Sequence, residues 1–304
     1  MCLCSSKNTE PTRCLAHEFQ EEVLPIAKLA QKVLLGSTTD MALNSAHGVA
    51  YHRGLGTPLH PTSSTPLSKY LNVRDLKLWS QAAYAKPNIA VVANGASHED
   101  LSKWVGQFFA DAPSSHPSKV PKIEYPPTKY YGGEERIAHD AGNTMILAFP
   151  GSSSFTSGGS YKPEISVLAA LLGGQSSIKW TQGFTLLAKA SAEFPQAHIT
   201  TSHAAYSDAG LLYVTLTGNA RHIKDASKAV VNTIKAIGAG DVSKEDIRKA
   251  VALAKFRALE AGQNVDAGLE STGAGLVQGG KAFQIDEVAK SIDGVSDEQV
   301  KKVC

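Results

Sequence analysis

The chain has 304 residues, of which 42% are hydrophobic and 19% charged, and a formal net charge of +2. This is a globular composition with length for two domains and a sizeable core, which excludes a disordered chain. Acids and bases are interspersed, leaving no electrostatic footprint for nucleic acid. No apolar run reaches the ~18 residues needed to span a bilayer, so membrane association would be peripheral, through partners. Cys2, Cys4, Cys14 and Cys304 lie at the extremities, and no disulfide framework follows from them. Cys2-x-Cys4 lacks a second ligand pair for metal, and the opening residues show neither a secretory core nor an Arg-rich transit pattern.

In chain order, His17–Leu35 reads as a helix with Phe19, Val23, Ile26, Ala30, Val33 and Leu34 near one face, ended by Gly36. A second helix runs from Thr39-Asp40 to Arg53, followed by a Pro/Ser/Gly loop over Gly54–Ser68. Val73–Tyr84 is helical again. Ile89–Ala93 is a short apolar run of strand type. Ser97-x-x-Asp100 caps a helix with Leu101, Trp104, Val105, Phe108 and Phe109 on its stripe. The five prolines of Pro113–Gly133 make an extended linker.

Strands are expected at Glu134–His139 and Thr144–Phe149, then a helix over Pro163–Leu172 and a broken helical stretch near Trp180–Ala192. Ala197–Tyr206 and Leu211–Thr217 read as an antiparallel pair around Ser207–Gly210. Ile223–Ile237 is amphipathic, with Ala226, Val230, Val231 and Ile234 on its stripe. Ser243-x-x-Asp246 caps a helix to Ala261, and Val265–Gln278, Ile285–Ser291 and Ser296–Val303 follow.

The two ends of the chain repeat one another. Glu21-Glu22-Val23 matches Glu245-Asp246-Ile247 and Leu29-Ala30 matches Leu253-Ala254, both 224 residues apart. Asp40, Leu43, Ser45 and Gly54 match Asp266, Leu269, Ser271 and Gly280 at 226, and Val73-x-Asp75 matches Val295-x-Asp297 at 222. Three blocks in one order at nearly constant spacing imply a tandem duplication. The expected organisation is the C-terminal half of a first module over 1–112, a Pro-rich linker over 113–133, and a second module lacking its last strand over 134–304. On that reading the chain is a fragment that exposes apolar surface when alone.

The chemistry-bearing residues do not assemble into a motif. None of the ten histidines (17, 47, 52, 60, 98, 116, 139, 198, 203 and 222) pairs at H-E-x-x-H or H-x-x-E-H spacing. His17-Glu18-x-x-Glu21 offers one imidazole and reads as an acidic first turn. His47 and His52 diverge on a helix, and His198 and His203 fall on opposite faces of a strand. Gly275–Ala282 approaches a phosphate loop, but Ala282 replaces the magnesium-binding hydroxyl and a helix precedes it, so a Gly-rich helix terminus is expected. Gly151–Gly159 holds no G-x-S-x-G elbow. Trp79, Trp104 and Trp180 are expected as core or interface anchors.

The stretches HEFQEEVLPIAKLAQKVLLG (17–36), LNSAHGVAYHRGLGTPL (43–59), AYAKPNIAVVANGASHEDLSKWVGQFF (83–109) and HAAYSDAGLLYVTLTG (203–218) resemble the mitochondrial branch of the pitrilysin-type zinc metallopeptidase family. The resemblance implies an α+β fold: an α/β roll of mainly antiparallel sheet with helices on one face, in two tandem modules, the first incomplete. Active members carry H-x-x-E-H in the first module, at a place these residues do not include. The second module's counterpart, near Ile165–Trp180, has no His. Where active members hold substrate with the Arg of L-R-E-K-x-G-L-A-Y, this chain has Leu186-Leu187-Ala188-Lys189-Ala190.

The resemblance therefore implies a non-catalytic homologue with no catalytic, cofactor-binding or metal residues and no cofactor. It would be a structural core subunit of the dimeric mitochondrial respiratory complex III, on the matrix side of the inner membrane beside core protein 1. The alternative is the substrate-binding subunit of the mitochondrial processing peptidase. That subunit has a long Gly-rich loop after L-L-G-G, whereas Leu171-Leu172-Gly173-Gly174 here runs into Gln175–Trp180.

Overall fold

The structure is a computed structural model that describes residues 15–58, 72–110, 112–115, 126–157, 159–176, 181, 183–278 and 280–304. These fall into two compact units, one drawn from Met1–Leu35 and Leu59–Pro126, the other from Gly36–Pro58 and Pro127–Cys304.

In the first unit, α1 (Leu24–Gly36) is entered through a single α turn, Ala16–Glu18, and a π-helical turn, Phe19–Val23. α3 (Val73–Ala83) and α4 (His98–Phe108) complete its helices. Their N-termini are set locally: Asn72 accepts from the Asp75 N–H and Ser97 from the Asp100 N–H, which satisfies orphan donors of each first turn. Of the six residues of the apolar stripe expected over His17–Leu35, two are buried. Phe19 and Leu34 are buried, but Val23, Ile26 and Val33 are 47%, 55% and 67% exposed. Ile89–Ala93 forms no strand. Ile89 keeps extended φ/ψ, but a strand exists only when a neighbour pairs with it, and none does among the described residues.

The second unit is built on a three-stranded antiparallel sheet in the order β1-β3-β2, with β1 at Asn143–Pro150, β2 at Ala197–Ala205 and β3 at Gly210–Gly218. β3 is central, pairing Ala205 with Gly210 at the hairpin end and Leu147 with Val214 on its other side. Its alternation puts Leu212, Val214 and Leu216 into the main core together with Ile199, Ile165, Leu168 and Leu187. Helices α5 (Pro163–Leu172), α6 (Leu186–Ser191), α7 (Ala220–Ala239), α8 (Lys244–Gln263), α10 (Ile285–Asp293) and α11 (Asp297–Val303) form around that core. α9 (Val265–Val277) runs on from α8. On the opposite face α2 (Thr38–Tyr51) packs Ala50 and Tyr51 against Leu211, Ala148 and Tyr213.

Two expectations change here. Glu134–His139 is irregular rather than a strand: Arg136 and Glu134 pair with each other in solvent at 2.5 Å, and the segment joins no ladder. On α7, Ala226 and Val230 are buried as the period demands, but Val231 stays 36% exposed because Ile223 and Ile237 complete the buried row instead. The linker prolines Pro117 and Pro121 and residues 177–180, with Trp180, lie outside the described residues. The repeat is carried in the helices: α1, α2 and α3 stand in the same order as α8, α9 and α11, and Asp40, Asp75, Asp266 and Asp297 each sit in a first turn.

Candidate functional site

The place to look for chemistry in the second unit is α5, the helix that the family resemblance sets against the metal-binding helix of active members. Its sequence, PEISVLAALL, buries Ile165, Val167, Leu168, Ala170, Leu171 and Leu172. Its only ionisable side chain is Glu164, so the helix is core material with no apparatus for binding a cation. In α6, Leu187 and Ala188 are buried and Lys189 faces Asp246 at 3.5 Å. Among the described residues no three of His, Cys, Asp and Glu gather closely enough to hold a metal ion.

A cavity of about 650 Å³ lies beside β1, α5, α7 and α11, lined by Phe149, Ile165, Leu168, Leu172, Leu212 and Ile234 with Lys162, Glu164, Gln299 and Lys302. Cys304 also lines it, and burial pushes this thiol's pKa up to about 11, so it remains protonated at neutral pH. No histidine is among the residues lining the cavity.

Six of the described histidines have partners within the chain. His47 faces the Leu43 carbonyl through Nδ1 at 2.8 Å and the Tyr206 hydroxyl through Nε2 at 2.6 Å. In the neutral ring, Nδ1–H donates to the carbonyl and Nε2 accepts from the phenol, which occupies both nitrogens. Tyr51 donates to the Gly210 carbonyl at 2.8 Å and meets Tyr130 edge-on with centroids 6.2 Å apart. Burial and the neighbouring Tyr206, Tyr130 and Asp208 raise the Tyr51 pKa to about 12. This knot fastens α2 to the turn between β2 and β3, and it was not legible in the sequence because its partners are 159 residues apart.

His203 sits against the loop after β1, where its Nε2 accepts from the Ser152 N–H at 3.0 Å and lies 3.1 Å from the Ser152 carbonyl. His198 is exposed and meets Gln175, so the two residues diverge as their odd spacing requires. His52 meets Tyr131 at a tilt of 51° with ring centroids 4.5 Å apart, His98 reaches Ser102 at 3.4 Å, and the Ala141 N–H donates to His139 at 3.0 Å. His17 is exposed in the short first turn, and the His222 Nδ1 is buried without a hydrogen-bond partner. His60 and His116 lie outside the described residues, as do Cys2, Cys4 and Cys14. Trp79 and Trp104 are each 53% exposed, so neither is a core anchor.

The glycine-rich run after α9 is a packing device. A Cβ on Gly280 would stand 1.9 Å from the Thr156 carbonyl oxygen, and one on Gly275 would stand 2.5 Å from that of Lys281. The close approach lets the Lys281 N–H donate to Thr156 at 2.7 Å, while the Lys281 ammonium caps the Phe155 ring at 3.8 Å and pairs with Glu287 at 3.0 Å. A lysine so engaged is not free to meet a phosphate.

Comparisons with known proteins agree with a peptidase-like fold. Residues 70–253 match the model described as the peptidase M16 inactive domain. Cytochrome b-c1 complex subunit 2, mitochondrial, of Neurospora crassa is 44% identical over 290 residues, covering 95% of this chain and 62% of that protein. Its namesake in Cryptococcus neoformans is 35% identical, covering 94% of this chain and 63% of that protein. The human protein of that name is 24% identical, covering 92% and 60%. This chain thus spans less than two thirds of the length of these relatives. A chain in the structure of complex III2 from Candida albicans, Inz-5 bound, superposes with a TM-score of 0.70 at 16% identity, covering 91% of this chain and 66% of that one, which shows a shared fold. The resemblance to the pitrilysin-type family is borne out, and the chain belongs to the peptidase M16 family through that family's inactive domain.

Proposed function

We propose that this chain is part of a structural core subunit of mitochondrial respiratory complex III, supporting assembly of the electron-transfer complex without a redox centre or peptidase activity of its own. The observation that carries this reading is the similarity to mitochondrial cytochrome b-c1 complex subunit 2 over 95% of the chain, at 44% identity. The largely apolar α5 supports the non-catalytic part, because its ten residues offer one carboxylate and no imidazole. Among the described residues no helix is long and apolar enough to cross a membrane, in keeping with a peripheral position on the matrix side of the inner membrane. Core protein 1 would be the main neighbour, within a dimeric complex. The modules would run over 1–112 and 134–304, joined by the linker 113–133.

The processing-peptidase alternative is not favoured. Only Gly173 and Gly174 begin the run after Leu172, and its first residues are anchored: the Gln175 N–H donates to the Ile199 carbonyl at 2.8 Å, and the Gly174 N–H to the Thr185 hydroxyl at 3.3 Å. Depletion of the full-length protein in its host separates the two readings. Loss of assembled complex III with presequence cleavage intact is expected. Loss of presequence cleavage with the complex still assembled would overturn the proposal.

A further inference from the structure

Of the phenols in the knot between α2 and the turn from β2 to β3, Tyr206 is the one that meets a base. Its hydroxyl donates to Nε2 of His47 at 2.6 Å. The other ring nitrogen, Nδ1, is committed to the Leu43 carbonyl at 2.8 Å, one turn back on α2. That bond fixes the tautomer, so Nε2 presents its lone pair to the phenol. Tyr51 instead donates to the Gly210 carbonyl at 2.8 Å and Tyr130 to the Ala148 carbonyl at 3.2 Å, and neither carbonyl can accept a proton outright.

The pairing offers a path for a proton. Loss of one electron makes a phenol O–H strongly acidic, so the oxidation is fast only where a base takes the proton in the same event. An imidazole can take one near neutral pH. Burial, with Tyr213 adding to it, raises the Tyr206 pKa above the ordinary 10.0, so the hydroxyl is protonated at neutral pH and depends on that path. The residue is only partly buried, which leaves it within reach of a small oxidant.

We propose that Tyr206 is a redox-active tyrosine, the preferred site of one-electron oxidation among the described tyrosines, with His47 as its proton acceptor. The oxidant is a small radical of the nitrogen dioxide class. It takes one electron from Tyr206 and leaves as nitrite, while the phenolic proton passes to Nε2 of His47. The products are a neutral tyrosyl radical and an imidazolium, whose Nδ1–H stays on Leu43 and whose Nε2–H donates back to the radical oxygen. A second nitrogen dioxide bonds to the ring carbon beside that oxygen. The hydrogen of this carbon moves to the oxygen as a proton, giving 3-nitrotyrosine, and His47 returns its own proton to water. This chemistry is independent of the complex III reading.

The test exposes the full-length natural protein to nitrogen dioxide, generated from nitrite by pulse radiolysis, and maps 3-nitrotyrosine by mass spectrometry. Tyr131 and Tyr84 are 54% and 46% exposed, so access alone would direct nitration to them. Tyr206 is expected to be nitrated ahead of both. The His47→Gln side chain can still accept from the phenol but takes up no proton. In that variant, nitration of Tyr206 relative to Tyr131 should fall at least ~10-fold, with the circular dichroism of the fold retained. An unchanged ratio in a folded variant would overturn the proposal. Nitration of Tyr131 and Tyr84 ahead of Tyr206 in the wild-type protein would overturn it whether or not the variant folds.

Discussion

The backbone N–H of Ser152 donates to Nε2 of His203 at 3.0 Å, which ties the loop after β1 to a partly buried imidazole on β2. Burial pushes the His203 pKa below its ordinary 6.5, partly opposed by the backbone of Ser152. The unfolded chain therefore binds this proton more readily than the folded one. The contribution to stability is complete above pH 6.5 and is lost as pH falls below it toward the lower folded value. Urea unfolding of the wild-type chain at about pH 7.5 and about pH 5.5 should show a loss of stability that is smaller in His203→Gln, whose side-chain oxygen can still accept from Ser152. An unchanged pH slope in the variant would contradict this.

Gly280 and Gly268 should respond oppositely to alanine. A Cβ on Gly280 meets the Thr156 carbonyl oxygen at 1.9 Å, so Gly280→Ala must push apart two backbone segments and should cost about 1–3 kcal/mol. Gly268 lies inside α9, and a Cβ there would have nothing within 4 Å, so Gly268→Ala should stabilise by about 0.5–1 kcal/mol. Equilibrium unfolding of the pair checks both signs.

Tyr51 is buried, and its hydroxyl satisfies the Gly210 carbonyl across 159 residues of sequence. Tyr51→Phe should cost about 0.5–1.5 kcal/mol, the usual net worth of such a bond. Because the phenol ionises only near pH 12, absorbance titration of the variant should lose its most alkaline tyrosine.

Chelation should leave the molecule unchanged. No group of three metal-binding side chains gathers among the described residues, so EDTA should not shift the unfolding midpoint, and added zinc should not raise it. A midpoint that rises with zinc would show that the chain does hold a metal site.

The helices and the β2–β3 hairpin were legible because their signals are local. Ser97 and Ser243 each accept from the N–H three residues on, and the period-two run of Leu212, Val214 and Leu216 faces one core. Ile89–Ala93 and Glu134–His139 misled because extended propensity becomes a strand only when another strand pairs with it, which is a long-range fact. The repeat announced which helices correspond, but not that the shared face of α1 would be bare and that of α8 covered. That α5 carries no imidazole or thiol was readable from PEISVLAALL itself. The knot of His47, Tyr206, Tyr51 and Tyr130 was not, because its members are scattered and carry no motif.

Membership of a haem-containing respiratory complex in a structural capacity can be measured on the protein in its own setting. Affinity purification of the tagged full-length protein from its host mitochondria, with quantitative haem spectroscopy of the eluate, tests it most directly. A structural core subunit should carry b-type and c-type haem with it at a fixed ratio to the tagged protein through successive purification steps. A homogeneous preparation free of haem that cleaves presequence peptides with zinc would contradict that role.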